Sequence, residues 1–281
     1  MIDLHLHSTA SDGTLDPAAL VERARAVGIR TVSLTDHDTM TGVPEAAETA
    51  AAHGLEFLPG VEITAVQDRR DVHVLGYFLE VAPPGLQAFL DRQQEDRRQR
   101  ARRMGEALAK LGAPIDAERL IARADAEGRT VGRPHVAQAL VEGGHVSNQR
   151  EAFDRWIADG RPAYVPRQGA SPAEVVRLIS RTGGVSSLAH PGLLGRDGLI
   201  PSLAKAGLTA IEVYHSAHDR STESRYAKLA ARHQLAASGG SDYHGEAHHR
   251  AKHFGAVTLP RDAFMQLLQR LLLAHSAVHG K

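Results

Sequence analysis

Apolar and polar positions alternate from the second residue of this chain. Residues 2 to 7 predict a short strand, in which alternate side chains share a face. Leu4 and Leu6 pack on one side, and Asp3, His5 and His7 project from the other. Asp16-Pro17 is a helix start, with the carboxylate as N-cap and proline in the first turn. Leu20, Ala24 and Val27 give that helix an apolar stripe, and Gly28 stops it. The β-branched run from Thr31 to Thr35 predicts a second strand, ending in Asp36-His37-Asp38. A helix follows from about Pro44 to His53, with Gly54 closing it. Phe57 to Thr64 and Val72 to Phe78 read as the next two strands.

The rhythm then breaks. Residues 85 to about 111 read as a highly charged helix, and 112 to 165 as further helical stretches and loops without a convincing strand. After Pro166 the strand-helix alternation resumes. Ser171-Pro172-Ala173-Glu174 is a capping box with proline at the first helical position. Strands are predicted at Gly184 to Ala189, Ala210 to His215 and Ala236 to Gly239, then a last one at Gly255 to Leu259 before a helix from Asp262. Repeated strand-helix units imply parallel strands with helices outside. Their number favours an α/β barrel over an open sheet, whose familiar phosphate-binding glycine loop after the first strand is missing. The expected organisation is a barrel built from residues 1–99 and 166–281, with 100–165 inserted as a helical subdomain.

Composition narrows the function. The chain has 281 residues, enough for a sizeable core. Its 33 basic and 33 acidic residues cancel, so no global field draws in duplex nucleic acid. Cysteine is absent, which excludes disulfides and thiolate metal sites and suits a cytoplasmic setting. No signal-like segment opens the chain and no apolar run is long enough for a bilayer. Histidine is the outlier, with 17 copies.

The histidines matter because of where they fall. Functional groups of an α/β barrel collect at the carboxyl ends of its strands. His5 and His7 end the first strand, Asp12 lies just beyond, and His37 ends the second. Glu62 lies late in the third, His73 starts the Val72 to Phe78 segment, and His190 follows the strand after the insertion. Asp242 and His244 follow the last inner strand. Singly, each is more often a solvated, capping or turn residue. Together, six imidazoles and three carboxylates could serve two or three divalent ions, with Glu62 as the bridge. Nitrogen and oxygen donors without sulfur suit manganese, iron or zinc.

These motifs resemble the polymerase-and-histidinol-phosphatase (PHP) domain: His5-Leu6-His7-Ser8, Asp12-Gly13, Thr35-Asp36-His37-Asp38, Gly60-Val61-Glu62, His73, Ala189-His190-Pro191 and Ser241-Asp242-Tyr243-His244. The resemblance implies a distorted seven-stranded β/α barrel with a trinuclear centre, manganese being the favoured metal. By motif position, His5, His7, Glu62 and Asp242 would hold one ion, Asp12, His37 and His244 a second, and Glu62, His73 and His190 a third. The helical insertion before an Arg-Pro-His segment resembles the nucleoside 3′,5′-bisphosphate phosphatases and their exoribonuclease relatives. A metal-dependent phosphoric monoester hydrolase is therefore expected, with a metal-held hydroxide as nucleophile and no protein nucleophile. Ser8 has no histidine-aspartate pair to activate it. His215 or His218 could protonate the leaving group, but solvated loop histidines are the simpler expectation.

The expected substrate is a small nucleotide, best the 3′-phosphate of a nucleoside 3′,5′-bisphosphate. Short single-stranded RNA degraded from its 5′ end, or a histidinol-phosphate-type monoester, are the alternatives. A metal amidohydrolase is less consistent, because no lysine ends an inner strand, and a non-catalytic metal module less still. Arg133 and His135 are the candidate substrate contacts, in an insertion placed to cover the barrel mouth. The arginine run from Arg97 to Arg103 points all round its helix and reads as solvated, with Arg102 or Arg103 the candidates to reach a second phosphate. His248, His249 and His253 lie in a polar, loop-like stretch and read as solvated, as do His275 and His279 in the tail.

Overall fold

The structure, a computed structural model, describes residues 1–246, 248 and 250–280. It is a mixed α/β fold. In chain order the elements are β1 (Ile2–Leu6), α1 (Pro17–Ala26), β2 (Thr31–Leu34), α2 (Val43–Ala52), β3 (Glu56–Phe57), β4 (Gly60–Gln67) and β5 (Arg70–Tyr77). Helices α3 (Gln87–Lys110), α4 (Ala117–Ala126), α5 (Arg133–Glu142) and α6 (Gln149–Ala152) follow, the last running into a π-turn at Phe153–Ile157. Then come α7 (Pro172–Arg181), β6 (Val185–Leu188), α8 (Pro191–Leu194), α9 (Ile200–Ala206), β7 (Ala210–His215), α10 (Arg220–Arg232), β8 (Ala236–Gly240) and α11 (Arg261–His279).

Local chemistry sets many of these boundaries. Asp16 caps α1 by accepting from the Ala19 amide, and Ser171 with Glu174 forms the expected capping box on α7. The expected strand at Phe57–Thr64 is split at Leu58-Pro59 into β3 and β4. The expected final strand at 255–259 is not a strand. That segment instead runs beside β1, with the Leu259 amide donating to the Ile2 carbonyl at 3.0 Å.

The strands form a sheet ordered β1-β2-β3, all parallel, and a second ordered β4-β5-β6-β7-β8. The all-parallel expectation fails at β5, which is antiparallel to both β4 and β6. Between β4 and β5 the chain reverses in two residues, Asp68 (φ 52°) and Arg69 (φ 63°), a left-handed pair of the kind that joins hairpins. The two sheets meet at both ends. Between β1 and the segment after β8, the His7 amide donates to the Tyr243 carbonyl at 3.0 Å and the Asp242 amide to the His5 carbonyl at 2.9 Å. Between the segment after β2 and β4, the Asp38 amide donates to the Glu62 carbonyl at 2.9 Å. Glycine permits both approaches. A Cβ at Gly240 would lie 2.4 Å from the His5 nitrogen, and one at Gly60 2.4 Å from Ser33 Oγ.

The main core packs Leu20, Val21, Ile63, Val74, Ile179 and Ile211 between strands and outer helices. A second cluster, at the end where β1 begins, joins Ile2, Leu4 and Tyr77 to Phe264, Leu267 and Leu271 of α11. A third belongs to the helical region, with Met104, Leu108, Ile121, Val136, Leu140 and Ile157 buried together. Helix α3 is continuous across residues 99 and 100, so the expected boundary falls inside a helix. Among the described residues no helix is long and apolar enough to cross a membrane.

Candidate metal centre

Nine side chains converge where β1 and β2 end. His5 lies in β1 and His7 directly follows it, and the register of β1 on β2 shifts between Asp3 and Leu6 beside the site. Asp12 returns over His7 on the following loop. His37 leaves β2, Glu62 sits in β4, and β5 runs backwards, so His73 near its start reaches the same end. His190 follows β6 with φ 28°, and Asp242 follows β8 with φ 56°. Left-handed backbone at two neighbours of one cleft is strain that the surrounding packing must hold.

Glu62, 1% exposed, is the hub. Its Oε2 lies 3.3 Å from His5 Nε2, 3.2 Å from His7 Nε2 and 3.1 Å from His37 Nδ1. Its Oε1 lies 2.8 Å from His73 Nδ1 and 3.0 Å from His190 Nε2. Asp242 Oδ1 is 3.2 Å from His7 Nε2 and 3.5 Å from His5 Nε2 and from His244 Nδ1. Asp12 faces His7 and His37 at 3.7 Å and His244 at 3.4 Å.

These contacts do not satisfy the ring nitrogens. Nε2 of His5, both nitrogens of His7, Nδ1 of His37 and Nδ1 of His73 are buried without a hydrogen-bond partner. Burial opposes ionisation of Glu62 and Asp242, yet the surrounding histidines hold both carboxyls well below the usual range. Burial likewise opposes protonation of His7, but Asp242 and Glu62 raise it to about 10. At His37 burial wins, and its pKa falls to about 3. Unpartnered ring nitrogens beside ionised carboxylates fit divalent cations of the borderline class, which would displace the proton that His7 otherwise holds. The sets His7-Asp12-His37-His244, His5-His7-Asp242 and His37-Glu62-His73 each bring their ligand atoms within 4.8 Å of one another.

The PHP domain pattern matches residues 3–157. The chain belongs to the PHP domain family. It is 38% identical over 248 residues to the 3′,5′-nucleoside bisphosphate phosphatase of Chromobacterium violaceum, covering 86% of this chain and 87% of that one. It is 37% identical over 252 residues to the 5′-3′ exoribonuclease Rnm of Escherichia coli, covering 86% and 84%. Its fold superposes with a TM-score of 0.86 on a protein from Bifidobacterium adolescentis described as a metal-dependent phosphoesterase, at 33% identity and 95% coverage of both chains.

Around the centre, this PHP domain corrects several expectations. Arg97 and Arg100 are not solvated. Arg97 is buried and donates to Asp38 Oδ2 at 2.6 Å and to Thr64 Oγ1 at 2.9 Å. Arg167 adds a second guanidinium on Asp38 Oδ2 at 3.2 Å. Burial opposes ionisation of Asp38, but the two arginines bring its pKa to about 2. Arg100 is held by the Val165 carbonyl and Asp71. The solvated reading fits the rest of the run: Arg98 pairs with Asp125, Arg102 with Glu118, and Arg103 lies against the Gln99 carbonyl. None of these three reaches the centre. Gln93, Arg97, Arg100, Ala101, Met104 and Leu108 form one buried stripe at helical spacing, which is the signal that would have found the two buried arginines.

Arg133 lines an open cavity of about 460 Å³ with Arg70, Asp71, Asp159, His73 and His190. It donates to Asp159 at 3.0 Å. His135 accepts the Gly132 amide on Nδ1 at 3.0 Å, and burial lowers its pKa, so its proton sits on Nε2. It lines a different cavity, with Arg123 and Arg129. Ser8 is tied to Asp36 through both its amide and its hydroxyl. His215 and His218 are buried, not solvated. The His248 ring lies tilted 4.9 Å from that of His244, His253 is half-buried, and His249 lies outside the described residues. Arg250 donates to Asp242 Oδ2, a contact the polar character of its segment did not foretell. The rings of His275 and His279 lie tilted at 4.5 Å on α11, with Glu80 at 3.8 Å from His279.

Proposed function

We propose that this PHP domain is a metal-dependent phosphoesterase that removes the 3′-phosphate from nucleoside 3′,5′-bisphosphates. The observation that carries the reading is the set of buried, unpartnered ring nitrogens gathered round the shared carboxylate of Glu62. His5, His7, Asp12, His37, Glu62, His73, His190, Asp242 and His244 are the proposed ligands of two or three divalent ions, manganese first among them. Glu62 would be the ligand shared between ions, because its two oxygens face different histidines. When bound, such ions lower the pKa of a coordinated water towards about 7 and neutralise phosphoryl charge.

The chain's own residues then hold and orient the ester. Arg133 presents a guanidinium at the cavity shared with His73 and His190 and grips a phosphate after leaving Asp159. His135, on the neighbouring cavity with Arg123 and Arg129, is the second proposed contact, through the Nε2–H left free by the Gly132 amide on Nδ1. In this reading β1, β2, β4, β5, β6, β7 and β8 are the seven strands of a closed, distorted barrel. The two seams of hydrogen bonds between the sheets support closure. The region 100–165 is its cover, supported by its separate core. A reducing cytoplasm and a small single-stranded substrate complete the picture, consistent with the absence of cysteine and the balanced charge.

The relative from Escherichia coli, almost equally similar, motivates a second reading as a 5′-3′ exoribonuclease on short RNA. One experiment separates them. The purified chain with manganese is given a nucleoside 3′,5′-bisphosphate and, in parallel, a 5′-phosphorylated oligoribonucleotide. Rapid phosphate release from the first, abolished by a chelator and restored by manganese, is expected. Activity that survives full metal removal sinks both readings, and preferential shortening of the oligonucleotide selects the second.

A further inference from the structure

Strand β7 supplies none of the nine proposed ligands, yet three polar side chains on it and the turn after it reach the groups that do. Glu212, wholly buried, accepts from His5 Nδ1 at 2.9 Å and from the His190 amide at 2.6 Å. A register slip between Glu212 and Tyr214 lies directly beside this carboxylate. A buried carboxylate costs several kcal/mol unless charge-assisted bonds compensate it. Here both bonds end on proposed ligand residues. With its Nδ1 proton held by Glu212, His5 turns the lone pair of Nε2 towards Glu62 and Asp242.

The two histidines are fixed in opposite tautomers. His215 Nδ1 accepts from the Ala217 amide at 3.1 Å, so its proton is on Nε2 and is donated to Asp242 Oδ2 at 3.3 Å. Asp242 Oδ1 is then left for His5 and His7. His218 donates from Nδ1 to the Val213 carbonyl at 2.8 Å and accepts the Gly192 amide on Nε2 at 3.1 Å. It braces the turn that begins at His190, the residue with φ 28°. Both nitrogens of each ring are engaged, which removes the two as donors to a leaving group.

We propose that β7 is an orienting strand: Glu212 and His215 are positioning residues that aim His5, His190 and Asp242 at the metal ions. The proposal rests on the metal centre described under Proposed function. Partners that fix a ligating histidine from behind change metal affinity by about 10–100-fold when lost.

The test measures manganese binding to the full chain by calorimetry and by electron paramagnetic resonance, without substrate. Glu212→Gln keeps the shape but faces the His190 amide with a second donor or loses its grip on His5. Its tightest manganese site is expected to weaken about 10–100-fold, with an altered manganese spectrum. His215→Phe is expected to weaken binding as well. His215→Gln restores it, because a glutamine amide can donate from near the Nε2 position. This pair carries the test if Glu212→Gln does not fold. Wild-type affinity, stoichiometry and spectrum in both Glu212→Gln and His215→Phe would overturn the proposal, as would equal loss in His215→Phe and His215→Gln. A wild-type chain that binds no manganese would overturn it together with the centre itself. A wild-type chain that binds manganese but releases no phosphate would count only against the substrate reading, and the variant comparison would stand.

Discussion

His37 and Asp38 are neighbours in the chain and opposites in their surroundings. Asp38 sits against two guanidiniums and the Thr64 amide, so both of its carboxylate oxygens accept from donors within the protein. His37 sits against Glu62 and Asp12 with its Nδ1 buried and unpartnered. One peptide bond separates a carboxylate whose oxygens are both satisfied from an imidazole left incomplete by the protein alone. The lesson is that burial of charge does not by itself mark a functional centre. What distinguishes the centre is the mismatch between acids and the donors able to satisfy them, because an unpaired buried polar group is costly and persists where something else completes it.

Three experiments break or sharpen this contrast. The largest effect belongs to Glu62→Gln, which removes the charge facing five histidines. Phosphate release and manganese affinity should fall by more than the roughly 10–100-fold expected for an outer partner, as read by steady-state turnover and calorimetry. Retained activity would show that Glu62 bridges nothing.

Next is Asp38→Asn, which strands two buried arginines. Urea denaturation should show a loss of about 3–5 kcal/mol, the range for breaking a buried ion pair from one side. The pH dependence sharpens it. Because the folded pKa of Asp38 lies near 2, below its ordinary value of 3.8, its ionised form stabilises the fold above pH 4. That contribution is lost as pH falls from about 4 towards 2, so the wild-type and Asp38→Asn stabilities should converge in that window. Curves that stay parallel there would remove Asp38 from the ion cluster. The smallest effect is Arg98→Ala, on the exposed side of the same helix. Its pair with Asp125 should be worth no more than about 1 kcal/mol, and a larger loss in urea would mean that exposure misjudges this helix.

Most of the residues that meet at the centre were legible because they end or follow regular elements, whereas Glu62 and His73 lie inside β4 and β5. A run of β-branched residues closing on His37, or Ser187-Leu188 closing on His190, announces a strand end without knowledge of its partners. The hairpin was not legible, since Asp68-Arg69 carries no glycine or asparagine to signal a left-handed turn. Arg97 was misjudged because its partner lies 59 residues away, and charge alone suggested water. Glu212 was overlooked although it stood in plain sight. An acid inside Ala210-Ile211-Glu212-Val213 has no reason to be in a buried strand unless something there receives it.

Asp38 has one more consequence. Arg97 lies just before residues 100–165 and Arg167 just after them, and both are anchored to the same carboxylate. If the helical region is the cover proposed above, it is a roof fastened at both posts to one bolt and does not lift like a hinged flap, because raising either side would leave a buried anion undercompensated. In the proposed arrangement, a cover held in this way leaves the open cavity framed by Arg70, Arg133 and Leu193 as the way in.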